Sequence, residues 1–240
     1  MPSPLKQRLP LKERLPRILE TLDRTYPDAK CSLTHADPLQ LLVATILSAQ
    51  CTDVLVNKVT PDLFKRYPTA AHFADAPLAE LQQAVNRVNY YRNKAKFIQQ
   101  ACRLLLERHG GNVPSTMPAL LELPGVARKT ANVVLGDAFG VSEGVVVDTH
   151  VLRITRRLGM TSGENRNAIE QKLMKLLPPE RWAGFSHQII LHGRAICKAI
   201  RPLCSQCPIG QALCPSYRDE RASVNASGQA PRRNRRKPRA

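Results

Sequence analysis

The sequence predicts an all-α protein. Apolar residues recur at helical spacing along most of the 240 residues, and no convincing run alternates apolar with polar residues as a half-buried strand does. Several apolar segments follow an Asp or Thr close to a proline, a combination typical of helix starts. The run 145–147 has the composition of a strand, but a single strand would have nothing to pair with.

Several predicted helices carry a local signal at one of their ends. Asp37, Asp75 and Asp148 are predicted N-caps, and so is either Thr52 or its neighbour Asp53. A glycine pair ends the longest helix, as is common at helix C-termini. The predicted helices, one of them preceded by a tight turn, lie within residues 15–26, 37–50, 52–67, 75–88, 93–111, 123–140, 148–159, 165–177 and 185–198.

The charge balance predicts a polyanionic partner. Thirty-six Lys and Arg face nineteen Asp and Glu, which gives a formal net charge of +17. Such an excess causes self-repulsion and is typical of nucleic-acid binding, although a basic surface can also serve solubility alone. No apolar run has the length of a membrane span and the start lacks a signal-peptide core, so we expect a cytoplasmic protein without membrane association.

Four cysteines near the C-terminus predict a metal centre. Cys197, Cys204, Cys207 and Cys214 lie within eighteen residues, in a stretch too polar and too rich in helix breakers to form a helix from Pro202 onward. One C-x2-C pair is flanked by a single cysteine on each side, a spacing that favours a cubane iron–sulfur cluster over a zinc ion. The remaining cysteines lie in apolar segments and are expected in the core: Cys31, Cys51 and Cys102.

Two of these stretches, the turn-and-helix 123–140 and the cysteine loop, together resemble the endonuclease III family of DNA glycosylases. Residues 46–53 (ILSAQCTD), 145–159 and 190–197 (ILHGRAIC) match further motifs, so the resemblance extends over about 15–217. It implies two helical domains, a six-helix barrel with a helix-hairpin-helix motif and an iron–sulfur cluster domain. The implied division is an N-terminal segment 1–29 that packs with the cluster domain, a barrel domain 30–139 and a cluster domain 140–217. Residues 218–240 have almost no apolar content and end in a cluster of arginines, so their composition predicts a basic disordered tail.

The resemblance also implies an activity, which is base excision repair with AP lyase chemistry. Lys129 would attack the sugar C1′, expel an oxidised pyrimidine such as thymine glycol, and form a Schiff base that leads to β-elimination. An ordinary lysine amine is only about 0.04% neutral at pH 7, so the nucleophile needs help. The helix start, neighbouring Arg128 and partial burial are expected to favour the neutral amine. Asp148 would stabilise positive charge at C1′ besides capping its helix.

The remaining site residues follow from the same resemblance. Gly125 would let the hairpin approach a phosphate, and Ala127 stands where a second glycine is usual, so a positive φ there would strain it. Gln50 would fill the gap left by an extruded base, and Tyr90 falls where the family often has an apolar wedge. Further implied DNA contacts are Arg128 and Thr130, and the residues bordering the lesion pocket are Asp53 and His150. The implied partner is double-stranded DNA containing damaged bases or abasic sites, bound by a monomer associated with the bacterial nucleoid, and the implied cofactor is a 4Fe-4S cluster.

Two other functions stay open at this point. An adenine mismatch glycosylase shares the cysteine loop and the aspartate, but normally lacks the hairpin lysine and adds a C-terminal recognition domain. A non-catalytic DNA-binding protein would use the hairpin and the cluster as a structural clamp. The presence of Lys129 favours the lyase over the first alternative.

Overall fold

The computed structural model describes residues 9–218, and this part of the chain contains helices and no β-strand, so the all-α prediction is confirmed. The predicted basic tail lies outside the described residues apart from Arg218. None of the helices in 9–218 combines the length and the apolar character needed to cross a membrane. The α-helices are α1 Leu11–Thr25, α2 Pro38–Ser48, α3 Asp53–Arg66, α4 Ala70–Asp75, α5 Leu78–Ala84, α6 Tyr91–His109, α7 Met117–Leu121, α8 Arg128–Phe139, α9 Thr149–Arg157, α10 Arg166–Leu176, α11 Trp182–Ala195 and α12 Gly210–Leu213.

The first hydrophobic cluster is built around α2. Seven consecutive residues of α2, 41–47, are buried, so this helix is enclosed on all sides. Helices α3, α6 and α8 pack directly against α2, and α4, α5 and α7 add side chains to the same cluster. Helix α6 contributes an apolar stripe that runs from Ala95 to Leu105. Asp37 caps α2 through a bond from the Gln40 amide, as the sequence predicts.

A second hydrophobic cluster joins the two ends of the described chain. Ile18 and Leu22 of α1 pack with α9, α10 and α11, where Phe185 and Ile189 are fully buried. Three of the four C-terminal cysteines, Cys197, Cys207 and Cys214, pack against this cluster. Two separate clusters are consistent with two helical domains, while the boundaries at 29, 139 and 217 stay predictions.

The structure corrects the sequence analysis at three helix ends. Asp75 does not cap a helix; it ends α4, whose own cap is Thr69, and α5 begins after Pro77 without a side-chain cap. Helix α1 begins four residues earlier than predicted, with Pro16 accommodated inside it. The cysteine loop is not wholly irregular, because a 3-10 turn at Cys204–Gln206 and the one-turn helix α12 form within it.

A buried arginine ties α1 to the C-terminal helices. The side chain of Arg14 is almost fully buried, and its Nη1 donates to the carbonyl oxygens of Leu158 at 2.9 Å and Leu213 at 2.7 Å. Its Nε donates to the Leu9 carbonyl at 2.9 Å. These bonds satisfy the ends of α9 and α12, so one side chain holds three segments together.

We expect Arg14→Met to lower the free energy of unfolding by about 3 kcal/mol, because buried carbonyls lose a charged donor. Urea unfolding followed by circular dichroism measures the change. Arg17→Met, at an exposed position of the same helix, is the control and should change stability by less than about 0.5 kcal/mol. Equal losses in the two variants would contradict the anchoring role of Arg14.

Candidate active site and metal centre

The turn before α8 depends on Gly125. Its φ is +81°, and an added Cβ would lie 2.9 Å from the Phe97 Cβ, so both backbone and space require glycine here. Ala127, in contrast, has φ −98° and ψ 168°, an ordinary extended conformation. The strain expected at Ala127 is therefore absent, because an alanine adopts this backbone conformation as readily as other residues do.

The start of α8 has no side-chain cap. Ala127 occupies the cap position and the first turn contains no acidic residue, so no carboxylate from that turn competes for the first amide groups. Such a start attracts anions, because amide hydrogens and the helix dipole both point at the ligand. Lys129 and Thr130 lie in this first turn.

Lys129 is an exposed residue, so the partial burial expected from the sequence is wrong for the protein without DNA. Thr130 is half-buried. Among the described residues, no hydrogen bond or ion pair joins Lys129 to Asp148. The amine is open to an incoming ligand.

Arg128 is engaged inside the protein. Its Nε lies 3.1 Å and 3.2 Å from the two carboxylate oxygens of Glu170, and only 7% of the Glu170 side chain is exposed. Asn132 Nδ2 donates to the same carboxylate at 3.0 Å. Glu170 thus offsets the charge of Arg128 and links α8 to α10, a role that the sequence analysis missed. The sequence offers no local signal for it, since the partners are 42 residues apart.

Asp148 caps α9, as predicted. Its Oδ1 accepts the Val151 amide at 2.8 Å, and the residue is half-buried. The preceding residues 145–147 are buried and form no strand, and the Val146 amide donates to Ser186 Oγ at 3.1 Å. Asp148 Oδ2 accepts no hydrogen bond from the described residues, so this carboxylate oxygen can interact with a bound ligand.

His150 lies among the charges that surround Asp148. Burial lowers the pKa of His150 most, the cations of Arg153 and Arg194 lower it further, and the carboxylates of Asp148 and Asp53 raise it. The net direction is downward, so the ring is neutral at pH 7. Arg153 Nη2 donates to His150 Nδ1 at 3.1 Å, which leaves the ring proton on Nε2.

The predicted pocket residues Asp53 and His150 therefore share one region with Asp148. Arg194 Nη2 donates to Asp53 Oδ2 at 2.6 Å and its Nη1 to Ser32 Oγ at 3.2 Å. This network joins the start of α3 to the last turn of α11. The sequence analysis did not assign Ser32 or Arg194 to this site.

The two residues predicted to probe the duplex have unusual backbones. Gln50 has φ 53° and Tyr90 has φ 57°, both in the left-handed region that costs non-glycine residues about 1 kcal/mol or more. Gln50 is exposed, and 64% of Tyr90 is accessible. Asn89 Nδ2 donates to the Gln50 carbonyl at 2.8 Å, so the two positions lie next to each other.

All four C-terminal cysteines line one cavity, together with Arg157 and His192 among others. Arg157 Nη1 lies 3.2 Å from Cys197 Sγ, and the same guanidinium donates to the carbonyls of Lys198 at 2.7 Å and Ala199 at 3.0 Å. A cationic donor beside a sulfur atom suits a thiolate ligand. Within 9–218, no three His, Cys, Asp or Glu side chains are grouped to hold one metal ion; the four cysteines instead surround a cavity.

The sulfur atoms lie in a poorly hydrated environment. Burial raises the pKa of the Cys207 and Cys214 thiols, and charges on the other cysteines of the loop raise it further. His192, whose Nε2 is 3.6 Å from Cys207 Sγ, has its pKa lowered by burial to about 4 and is neutral at pH 7. Four soft donors in one cavity, with a cation at hand to offset their charge, fit an iron–sulfur cluster.

Comparisons with known proteins agree with this geometry. Residues 43–179 match the family model described as "HhH-GPD superfamily base excision DNA repair protein". The chain is 53% identical over 216 residues to endonuclease III of Synechocystis sp., covering 90% of this chain and 98% of the relative.

Two solved structures are similar over most of the chain. They are a non-covalent endonuclease III–DNA complex and a trapped endonuclease III–DNA covalent intermediate. In each case the TM-score is 0.81 and the identity is 44%, with 87% of this chain and 97% of the other covered.

The lowered pKa of His150 predicts a pH-dependent stability. Below its ordinary value of 6.5 the unfolded chain binds a proton that the folded ring resists, so this contribution is lost as the pH falls. We expect His150→Gln to lose less stability than the wild type between pH 7 and pH 5, measured by urea unfolding. His72→Gln, at an exposed position of α4, is the control and should differ from the wild type less than His150→Gln does. A wild-type slope in His150→Gln would contradict the assignment.

Proposed function

The chain belongs to the HhH-GPD superfamily of base excision DNA repair proteins and, within it, to the endonuclease III family, and we propose that Lys129 and Asp148 carry out its glycosylase and AP lyase reactions. The observation that carries the proposal is the exposed amine of Lys129 in the first turn of an uncapped helix, directly after a glycine-dependent hairpin. A phosphate bound at the turn would bring a nucleotide to that amine.

Binding of DNA prepares Lys129 for attack. The amine is exposed in the free protein, and a duplex laid over the start of α8 would exclude water from it. Loss of water disfavours the ammonium form, as do the amide dipoles of the helix start. The desolvation that the sequence analysis expected from partial burial of Lys129 would thus be supplied by the substrate.

The chemical steps balance within this site. The neutral Nζ of Lys129 forms a bond to C1′ while the N-glycosidic bond breaks and the base leaves with the electron pair and a proton. Nζ passes its second proton to O4′ as the sugar ring opens, which gives an imine between Nζ and C1′. Water then takes a proton from C2′, and the C3′–O bond breaks with its electron pair on the departing phosphate, which cuts the strand on the 3′ side; hydrolysis of the imine frees Lys129.

Asp148 acts through its charge. Positive charge develops on C1′ as the base departs, and a fixed carboxylate nearby stabilises it. The bond from the Val151 amide to Oδ1 holds the group in place, and Oδ2 faces no donor from the described residues. Neutral His150 and the Arg194–Asp53 pair would border the extruded base.

DNA would be bound by backbone amides at the start of α8 and by the positive charge of the chain. Amides at the start of α8 bind phosphate without reading sequence, which suits an enzyme that must scan every sequence. Gln50 would occupy the gap left by the base and Tyr90 would stack on the opposing strand. Arg128, already paired with Glu170, contributes by fixing α8 rather than as a free cation.

We propose that Cys197, Cys204, Cys207 and Cys214 hold a 4Fe-4S cluster. When bound, the cluster supplies structural cross-linking of the loop rather than a step of the reaction. Arg157 would donate to the Cys197 sulfur and hold the loop carbonyls beside it. The basic residues of this loop, Lys198 and Arg201, would then face phosphate.

The preferred substrates are oxidised pyrimidines such as thymine glycol, and abasic sites, in duplex DNA of the bacterial cytoplasm. The protein would act as a monomer. Lys129 favours this reading over the adenine mismatch glycosylase and over a non-catalytic clamp, because neither of those needs a lysine at the hairpin.

Borohydride trapping tests the nucleophile. Incubating the full chain with duplex DNA that carries an abasic site should give a covalent adduct on denaturing gels. We expect Lys129→Gln to reduce the adduct at least about 100-fold, since the variant lacks the amine proposed to form the Schiff base. Lys172→Gln, exposed on α10, should trap like the wild type. An adduct that survives in Lys129→Gln, or none with the wild type, would overturn the proposal.

Iron analysis tests the metal centre. Aerobically purified protein should be brown and contain about four iron atoms per chain. Cys207→Ser should lose most of the iron and unfold more readily, whereas Cys51→Ser, outside the loop, should keep it. Stoichiometric zinc in colourless, active protein would refute the cluster.

A further inference from the structure

A buried lysine lies beneath the two residues proposed to probe the duplex. Only 5% of Lys94 is exposed. It lies among the buried residues of α6, where its neighbours Ala95, Ile98 and Cys102 are apolar. A charged residue in an apolar stripe needs strong hydrogen bonds to be tolerated there. This one has them.

The ammonium of Lys94 caps the end of α2. Its Nζ donates to the Leu47 carbonyl at 2.7 Å and to the Ala49 carbonyl at 2.6 Å. Both carbonyls belong to the last turn of α2 and the residue after it, where the helix dipole favours a cation. Ala49 directly precedes Gln50, so these bonds fix the chain at the point where it enters the left-handed conformation.

Tyr90 lies one turn before Lys94, at the start of the same helix. The backbone amide of Lys94 donates to the Tyr90 carbonyl at 3.1 Å, which is the ordinary i to i−4 bond of α6, so the Lys94 side chain links this first turn to the chain just before Gln50. Asn89 Nδ2 adds a direct bond to the Gln50 carbonyl. Gln50 and Tyr90 account for two of the three non-glycine residues with positive φ in the described chain, and Lys94 and Asn89 connect them.

We propose that Lys94 and Asn89 are positioning residues that hold Gln50 and Tyr90 as one rigid probe for the gap in the duplex. The proposal rests on the function assigned above. Two side chains that enter a base stack together must keep a fixed separation, and ordering them in advance avoids an entropic cost during base extrusion. Two strained residues would otherwise relax independently.

A single strand does not need this probe. It has no opposing base to stack on and no gap to fill, but it presents the same C1′ to Lys129. Loss of the probe should therefore slow cleavage of an abasic site in duplex DNA and spare the same site in a single strand. General damage to the fold would slow both.

The test uses two variants and two readouts. Lys94→Met removes the buried donor, and Asn89→Ala removes the surface bond without touching the core. The readouts are the ratio of duplex to single-strand cleavage at an abasic site, and the fluorescence of 2-aminopurine placed opposite a tetrahydrofuran abasic analogue. The analogue cannot react, so the second readout does not depend on activity.

We expect the wild type to quench the 2-aminopurine by stacking on it, and both variants to lose most of that quenching. The ratio of duplex to single-strand cleavage should fall about tenfold in Lys94→Met and about threefold in Asn89→Ala, in line with charged and neutral hydrogen bonds. Lys65→Met, exposed on α3, is the matched control and should leave both readouts unchanged.

Wild-type quenching and an unchanged ratio in both variants would overturn the inference while leaving the lyase in place. If Lys94→Met loses cleavage equally on duplex and single strand and has a lower melting temperature, Lys94 has only a structural role. The test then rests on Asn89→Ala, and an unchanged ratio of duplex to single-strand cleavage in that variant overturns the inference. Failure of the wild type to cleave either substrate would instead overturn the proposed function.

Discussion

The uncapped start of α8 is the constraint on which the rest of the site depends. A side chain at the cap position or a carboxylate in the first turn would satisfy the amides and exclude a phosphate. Ala127 and the basic first turn leave them available, and Gly125 shapes a turn that Phe97 would otherwise obstruct. The start of α9, in contrast, is capped by Asp148, and the capping bond holds that carboxylate in place. One helix start is kept open for the substrate, and the other is closed to orient a carboxylate.

Polar bridges connect the two hydrophobic clusters around this pair of helix starts. Arg128 binds Glu170, the Arg194–Asp53 pair closes on Ser32, and His187 lies 2.8 Å from Asp137 with each side chain only 13% exposed. Apolar packing is non-directional, whereas paired charges in a half-buried setting tolerate little displacement. These bridges therefore fix the angle between the clusters, and with it the separation of α8 from α9.

In the cysteine loop and next to Gln50, a basic side chain donates hydrogen bonds to backbone carbonyls. Arg157 donates to backbone carbonyls beside Cys197, and Lys94 donates to backbone carbonyls beside Gln50. In each case a cation satisfies the chain where regular structure ends, and the residue next to it carries the proposed function. Arg14 does the same for the ends of α9 and α12. A chain rich in basic residues thus uses some of them inside the fold and presents others to the polyanion.

The sequence by itself determined most of the helices, the caps at Asp37 and Asp148, and the cysteine set, because these signals are local and repeat at helical spacing. It left the cap of α3 open between Thr52 and Asp53, and the structure shows that Thr52 is the cap. It missed α4 and α7, which are too short for periodicity to register, and it misplaced a cap at Asp75. Only the tertiary structure decided that Lys129 is exposed, that Arg128 is neutralised by Glu170, and that Lys94 is buried. Burial and pairing depend on residues distant in the chain, so no local pattern encodes them.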